Sequence, residues 1–438
     1  MSRTSEEASI EKIPTSFPTT RLKFGVERRT DKFDTVPEEV PRVSLDMVES
    51  WTGNVVENSE EDAEASAGLV RFHAGDVCFS KLRPYLAKAF EAEHFGAASP
   101  EFLVFRPTQF DARFLRYLLL SREFIERVDA STYGAKMPRA SWNFIGDMLV
   151  PCPNERVQEE VADFLDHRTA RIDALVAKQK RLLDLFRERR NSIVSTAVCR
   201  GVKSERSLKP SGIDGVGNIP GNWDTRKLKW LLKKSPKNGI SPPIASESEG
   251  IPTFSISTVG NGEVSVMDDL KYADVSEEKA RNYSINEGDV LMIRGNGNPE
   301  LVGKCGIVTP PVPEDCIYPD ILISIKFRPQ LSAKFFVYLL NSPPIRPQIE
   351  VGAKTSTGLW KISQNTISNI RVPCPPVEEQ QEIVESIDSA SSELDHLTQK
   401  TQRSIDLLEE KRQALITAAV TGQIDVTEER GETHATHR

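Results

Sequence analysis

Apolar residues at Val161, Leu165, Ile172, Leu175, Leu182, Phe186 and Ile193 recur on steps of three, four and seven, the spacing of a coiled-coil seam and not of a broad globular face. Ile383, Ile387, Leu394, Leu397, Leu408 and Leu415 repeat the pattern in matching phase. The spacing predicts two long helices. Polar residues interrupt both seams at Arg168, Gln179 and Arg189 and at Thr401, Ser404 and Lys411, so neither helix is expected to be stable alone. The two are expected to pack on each other, and the whole globular segment between them makes an antiparallel pair the simplest closure.

The helical stretch is also written twice. Val-Pro-Cys-Pro stands at 150–153 and again at 372–375, and at that constant offset of 222 positions (150 to 372) Gln158 matches Gln380, Asp166 matches Asp388, Asp173 matches Asp395, and Ala197-Val198 matches Ala419-Val420. Self-similarity at a fixed long period describes architecture, so the chain reads as a tandem duplication. The segments before each helix are mixed α and β. In the first, Gly75-Asp76 introduces a strand Val77-Cys78-Phe79, another strand covers Phe102–Phe105 and a helix spans Ala112–Arg127. In the second, Gly288-Asp289 introduces Val290–Ile293, followed by a strand over Ile321–Phe327 and a helix over Ser332–Leu340. Gly134-Ala135-Lys136 with Trp142 reads as the counterpart of Gly352-Ala353-Lys354 with Trp360.

These elements predict a mixed α+β fold. Its expected order is a disordered N-terminus over 1–19, a domain over 20–149, a helix over 150–203, a Gly/Pro-rich linker over 204–220, a second domain over 221–371, a second helix over 372–424, and a disordered tail over 425–438.

Composition changes the picture little. A length of 438 residues accommodates two or three domains, no apolar run approaches the roughly 20 residues that cross a bilayer, and Met1 to Thr20 lacks an apolar signal core, so a cytoplasmic protein without membrane contact is expected. Six scattered cysteines without a C-x-x-C pair give no metal site and no disulfide framework. The net charge of −8 argues against a uniformly basic nucleic-acid binder, but acid is concentrated in 57–64 and basic residues slightly outnumber acidic ones between Arg226 and Arg371. A local basic face is compatible with that balance.

Catalytic patterns are missing. Gly297 to Lys304 has the wrong spacing for a phosphate loop, with Cys305 where a hydroxyl should hold magnesium, and Asp320 with Lys326 lacks the second acid of a nuclease cluster. The Ser-Pro-Pro runs lack the aromatic residue of an adenine-methyltransferase loop. Polar and basic residues stand instead where strands end: Lys81, Arg83 and Tyr85 in the first domain, and Arg294, Asn296, Asn298 and Lys304 in the second. Lys81 and Arg294 both follow the Gly-Asp turn by six positions. Lys136 and Arg139 beside Tyr133, and Lys354 and Lys361 beside Trp360, extend the two sets. Such side chains hold phosphates and read base edges.

Val372-Pro-Cys-Pro-Pro-Val-Glu-Glu-Gln-Gln381, Leu415-Ile-Thr-Ala-Ala-Val-Thr-Gly422 and Gly217-Asn-Ile-Pro-Gly-Asn-Trp223 together resemble the specificity subunit of type I restriction–modification enzymes, across about residues 20 to 424. The first copy departs from that family's helix start at Asn154–Gln158 and has Cys199-Arg200-Gly201 in place of Thr-Gly. The resemblance implies two target-recognition domains in a pseudo-two-fold arrangement, each reading half of a split double-stranded DNA site, with the antiparallel helices as a ruler. It also implies no catalysis and no cofactor on this chain. Two modification subunits would carry S-adenosylmethionine, and two restriction subunits would bring ATP and magnesium. The competing readings are a stand-alone methyltransferase or nuclease with atypical motifs, and a coiled-coil scaffold that binds no DNA.

Overall fold

The computed structural model describes residues 13–56, 68–134, 136–203, 206–246, 250–260, 262–264, 270–356 and 359–426, with backbone alone for 354–356. The chain divides into two compact units, 1–180 with 402–438 and 181–401. Each unit therefore holds one globular domain and a portion of both long helices, Glu155–Arg200 and Val377–Val420.

In the first unit an antiparallel sheet runs in the order Val26–Arg29, Phe102–Pro107, Val77–Ser80, Ala89–Glu91. In the second unit Lys237–Asn238, Leu322–Ile325, Val290–Ile293 and Cys305–Val308 take the same order, extended by Glu263–Val264 and Val259–Gly260. The central strands Val77–Ser80 and Val290–Ile293 are buried at every position, which is why they read as continuous runs without alternation. Both sheets pack on a helix whose first turn is capped by a side-chain oxygen: Asp111 accepts from the Phe114 N–H before Ala112–Leu119, and Ser332 from the Phe335 N–H before Ala333–Asn341. The single helix predicted over Ala112–Arg127 is two helices. Ser121 is extended, and Arg122–Ala130 starts anew after it.

Each domain is closed by a pair of strands that delivers the chain into its long helix. Thr19–Arg21 pairs with Leu149–Pro151, and Asp224–Lys227 with Arg371–Cys374. The helix is then anchored by a glutamine. Gln158 Oε1 accepts from the Asp111 N–H at 2.8 Å while its Nε2 donates to the Pro153 carbonyl at 2.8 Å. Gln380 does the same to the Ser332 N–H and the Pro375 carbonyl, both at 3.0 Å. About two turns onward, Asp166 accepts from the Tyr117 hydroxyl at 2.7 Å and from Arg116 at 3.0 Å; its counterpart Asp388 accepts from the Tyr338 hydroxyl and, at 2.8 Å, from Lys334.

Within each unit the two helices run antiparallel. Asp173 meets Arg412 at 2.9 Å and Lys180 meets Glu409 at 3.4 Å in the first. In the second, Arg190 meets Asp395, and Lys203, three residues past the helix end, meets Glu382 at 2.6 Å, so that ascending numbers along one arm of the pair face descending numbers along the other.

Several expectations are corrected. Leu175 is 47% exposed, and Leu182 and Leu397 are exposed as well. The inward-facing line instead passes through Ile172, Val176, Gln179, Leu183, Phe186 and Arg190, an unbroken run of four-and-three steps that contains two polar residues, and on the other helix through Leu394, Thr401, Ile405, Leu408 and Arg412. The leucines next to the seam drew the pattern off by one position, about 100° around the helix. Residues 13–19 are ordered: Ile13 is buried, its N–H donating to the Leu149 carbonyl, and Ser16 N–H donates to the Thr421 carbonyl. Val426 is likewise buried, whereas the expected disorder of 1–12 and 427–438 and the acidic stretch 57–64 lie outside the described residues. The linker carries a strand pair, Leu208–Pro210 with Asn218–Pro220. Trp142 opens the short helix Trp142–Asp147 while Trp360 sits in the strand Leu359–Lys361, and Gly352 ends a helix while Gly134 sits in a turn with φ +95°, so these landmarks are not counterparts. The matching pair is Ser141 and Ser363, each capping a short helix.

Replacing Leu165, which is fully buried, with Ala is expected to cost about 2–5 kcal/mol, and Leu175→Ala no more than about 0.5 kcal/mol. Denaturant unfolding of the two variants checks the corrected seam; equal losses would restore Leu175 to it.

Candidate nucleic-acid interface

The first domain's basic loop is built on a tight bend. Beyond the strand Val77–Ser80 comes a 3-10 turn, Pro84–Leu86, flanked by Arg83 and Ala87, both left-handed with φ +49° and +46°. A second loop is laced to it. Arg83 N–H donates to the Pro138 carbonyl at 2.8 Å, Ala140 N–H donates to the Lys81 carbonyl at 2.9 Å, and Arg139 bridges back to Tyr133 with both of its backbone groups. The Arg139 guanidinium grips Glu101 through two bonds, Nε at 3.1 Å and Nη2 at 2.9 Å, which holds the Glu101 carboxyl below the usual carboxylate range. Lys81 donates through Nζ to the Pro100 carbonyl at 2.8 Å. Burial lowers its pKa first, Glu101 opposes that, and the positive fields of Arg28, Arg139 and Lys32 lower it further. Arg83, Tyr85, Tyr133, Lys136 and Met137 are exposed around this frame.

The second domain repeats the frame with different side chains. Ile362 N–H donates to the Arg294 carbonyl at 2.8 Å, as Ala140 does to Lys81. Arg294 donates through Nη1 to the Asp320 carbonyl at 3.2 Å, as Lys81 does to Pro100. The chain then forms Gly295–Asn296, paired with Leu359–Lys361, which pairs in turn with Lys354–Ser356. A Cβ at Gly295 would lie 3.0 Å from the Lys361 side chain and 3.2 Å from the Trp360 carbonyl, so a larger residue there would press on the neighbouring strand. Asn296 and Asn298 accept the Asn298 and Glu300 N–H groups, both at 2.9 Å, which shapes the 3-10 turn Pro299–Leu301.

The residues singled out in the sequence thus gather into one basic edge per domain, with a division of labour. Lys81, Arg139 and Arg294 brace the loops, and the amide oxygens of Asn296 and Asn298 shape one. Arg83, Tyr85, Lys136, Lys304 and Lys361 are exposed. Lys354 lies on the edge strand, and its side chain is outside the described residues. Sequence reasoning missed Arg28 and Lys32, which join the first patch from the neighbouring strand Val26–Arg29 and its exit, because nothing in their local pattern marks them. Gly297 to Lys304 is a loop and 3-10 turn without a following helix, Asp320 accepts from the Ser241 hydroxyl, and Lys326 pairs with Asp289 at 2.6 Å. Among the described residues no cluster of three metal-type ligands occurs and no helix is long and apolar enough to cross a membrane.

Residues 220–406 match the family model for the type I restriction modification DNA specificity domain. The chain is 25% identical over 335 residues to the EcoKI specificity subunit of Escherichia coli (strain K12), across 75% of this chain and 68% of that one. It is 21% identical over 324 residues to the StySPI specificity subunit of Salmonella potsdam, across 73% and 67%. The EcoBI specificity subunit of Escherichia coli aligns over 64% of its own length. A solved chain from work on complex assembly and conformational transition of the type I R-M system shares the fold, with a TM-score of 0.64 at 20% identity over 94% of this chain and 100% of that one.

Because Glu101 titrates below its unfolded value, its pairing with Arg139 stabilises the fold above the unfolded carboxyl pKa of about 4.3, and that contribution disappears as pH falls through the folded value. Glu101→Gln is therefore expected to unfold more easily than the parent at pH 7, with the difference shrinking as acid protonates Glu101 in the folded state, in thermal melts from neutral to acid pH. A constant difference at all pH values would rule out the charge as the cause.

Proposed function

We propose, from a chain whose residues 220–406 match the family model for the type I restriction modification DNA specificity domain, that it is the DNA-reading subunit of a type I restriction–modification enzyme. The observation that carries this reading is one loop frame made twice and dressed differently. Lys81 and Arg294 brace the loops through equivalent carbonyls, while Arg83, Tyr85 and Lys136 on one frame have no match in Asn296, Asn298 and Lys304 on the other. Two equal supports with unequal side chains suit the reading of two different half-sites in double-stranded DNA.

On this reading the chain binds and orients, and catalysis belongs to its partners. Modification subunits bring S-adenosylmethionine, and restriction subunits bring ATP and magnesium. The names of the relatives support this assignment, since each is a specificity subunit of a type I restriction enzyme. The helix pair is then the spacer between the two readings and a site for assembly.

Two measurements test it. Purified alone with S-adenosylmethionine, the chain is expected to transfer no methyl group to DNA; transfer would establish the stand-alone enzyme instead. In complex with modification subunits, Arg83→Ala or Lys136→Ala is expected to cost about 1–3 kcal/mol where the side chain meets a base, with relaxed preference in one half-site only. Methylation mapping reads the result, and relaxation of both half-sites together would count against one domain per half-site.

A further inference from the structure

Each domain exposes an aromatic ring that the recognition loops do not explain, at the same place in the fold. Phe24 is 61% exposed and Trp230 is 60% exposed. Both lie in a helical turn, Leu22–Gly25 or Leu228–Trp230, that follows the closing strand, and both turns are fixed by equivalent bonds: Leu22 N–H to the Met148 carbonyl, and Leu228 N–H to the Ile370 carbonyl. In each case the preceding lysine stands over the ring, Lys23 Nζ at 5.3 Å from the Phe24 centroid and Lys229 Nζ at 5.0 Å from that of Trp230. Neither pair is used by the domain core. A ring and an ammonium kept in the same exposed position through a duplication whose loops have diverged points to a ligand common to both halves.

The surroundings indicate which. Arg21 and Lys23 share one carboxylate, Asp147, at 2.9 and 2.6 Å, leaving a positive balance. At the second site the equivalent of Asp147 is Asn369, which Lys227 meets at 3.2 Å, and Lys229, Lys233 and Lys234 are exposed nearby in sequence. Both sites join their basic edge through the short helix that starts just after the recognition hairpin. Its far end holds Asp147 or Asn369, and its six residues span only about 9 Å. In the first domain the path is continuous. A Cβ at Gly146 would lie 3.1 Å from Trp142 and 3.3 Å from Lys23, and Arg28, whose charge acts on Lys81, stands 5.9 Å from the Trp142 ring.

We infer that Lys23–Phe24 and Lys229–Trp230 are a duplicated seat for the DNA backbone beside each half-site, taking phosphate on the lysine and the apolar face of a deoxyribose on the ring. This rests on the DNA-reading function proposed above. A positive, partly aromatic surface on a chain of net charge −8 is complementary to a polyanion, and a backbone contact, being indifferent to sequence, explains why the two copies agree here and not in their loops.

The test uses the assembled complex of this chain with its modification subunits, carrying Lys23→Ala with Phe24→Ala, or Lys229→Ala with Trp230→Ala. Affinity is measured against salt on the cognate duplex and on one with both half-sites scrambled. The expected result is the same fold-loss on both duplexes, a salt slope smaller by about 0.9 for the lysine removed, and unchanged methylated sequences. Unchanged slopes overturn the inference. So does a loss confined to the cognate duplex, which would make these base readers, or intact DNA binding with loss of a modification subunit, which would make them a protein-docking surface. If the parent complex fails to distinguish the two duplexes, the recognition reading falls, while the slope difference still decides the phosphate seat.

Discussion

A buried glutamine begins each long helix, and its two ends are answered by different parts of the chain. Gln158 is 1% exposed and Gln380 is fully buried, so neither amide can turn to water for a missing partner. An unpaired amide in such a place costs of the order of 1–3 kcal/mol, which makes the geometry of its partners a constraint on everything attached to them. One partner is the backbone N–H that precedes the domain's main helix, and the other is the carbonyl of a proline just past the closing strand, Pro153 or Pro375. Sheet helix, closing strand and long helix are thereby locked at a single point. The carboxylates Asp166 and Asp388 make a second point farther along each helix, which fixes direction as well as origin. At the first of these, burial pushes the Tyr117 hydroxyl up to about 12, so it remains protonated and able to donate.

The seam between the helices obeys a different logic. Its apolar contacts are interrupted by Gln179, Arg190, Thr401 and Arg412, and replacing such residues with hydrocarbon would in general strengthen the pairing. Arg412, 5% exposed, compensates with bonds to Asp173 and to the carbonyls of Trp51 and Thr52. Its counterpart Arg190 bonds to Asp395 and the Ser391 carbonyl. These bonds are satisfied at one register and orphaned at the next, so polar seam residues define the antiparallel alignment at some expense in stability. The loop around Arg412 is shaped to receive it, since Trp51 adopts φ +68°, unusual for a bulky side chain, with its carbonyl turned to the guanidinium.

This also explains what can be read from the residues alone. The duplication is legible because the identities that survive at a constant offset are those contacts: Gln158/Gln380, Asp166/Asp388 and Asp173/Asp395 are bonds made twice. The seam's phase is not, because its polar members look like surface residues while Leu175 and Leu182 look like core. A count of apolar positions therefore selects the wrong stripe by one residue. The buried strands Val77–Ser80 and Val290–Ile293 are readable as apolar runs after a Gly-Asp turn. Arg28, Lys32, Phe24 and Trp230 are not, since an exposed side chain gains meaning only from what the fold places beside it.

The distribution of differences between the copies completes the picture. Contacts between helix and domain are nearly identical, and the loop braces Lys81 and Arg294 are chemically alike. Divergence begins within two residues of them, in a left-handed Arg83 on one side and in Gly295 on the other. Other changes have local causes. Glu379, in place of Val157, sits where burial raises its pKa, and the Arg206 guanidinium leads the neighbouring groups that together hold the carboxyl low, an ion pair that ties the linker to the second helix. A scaffold that tolerates new side chains at its loop tips, and resists change where glutamine, aspartate and arginine are buried, can keep its frame while its two recognition surfaces diverge independently. In a chain proposed to read two unlike half-sites, that separation lets either loop set change without disturbing the alignment of the helices beneath it.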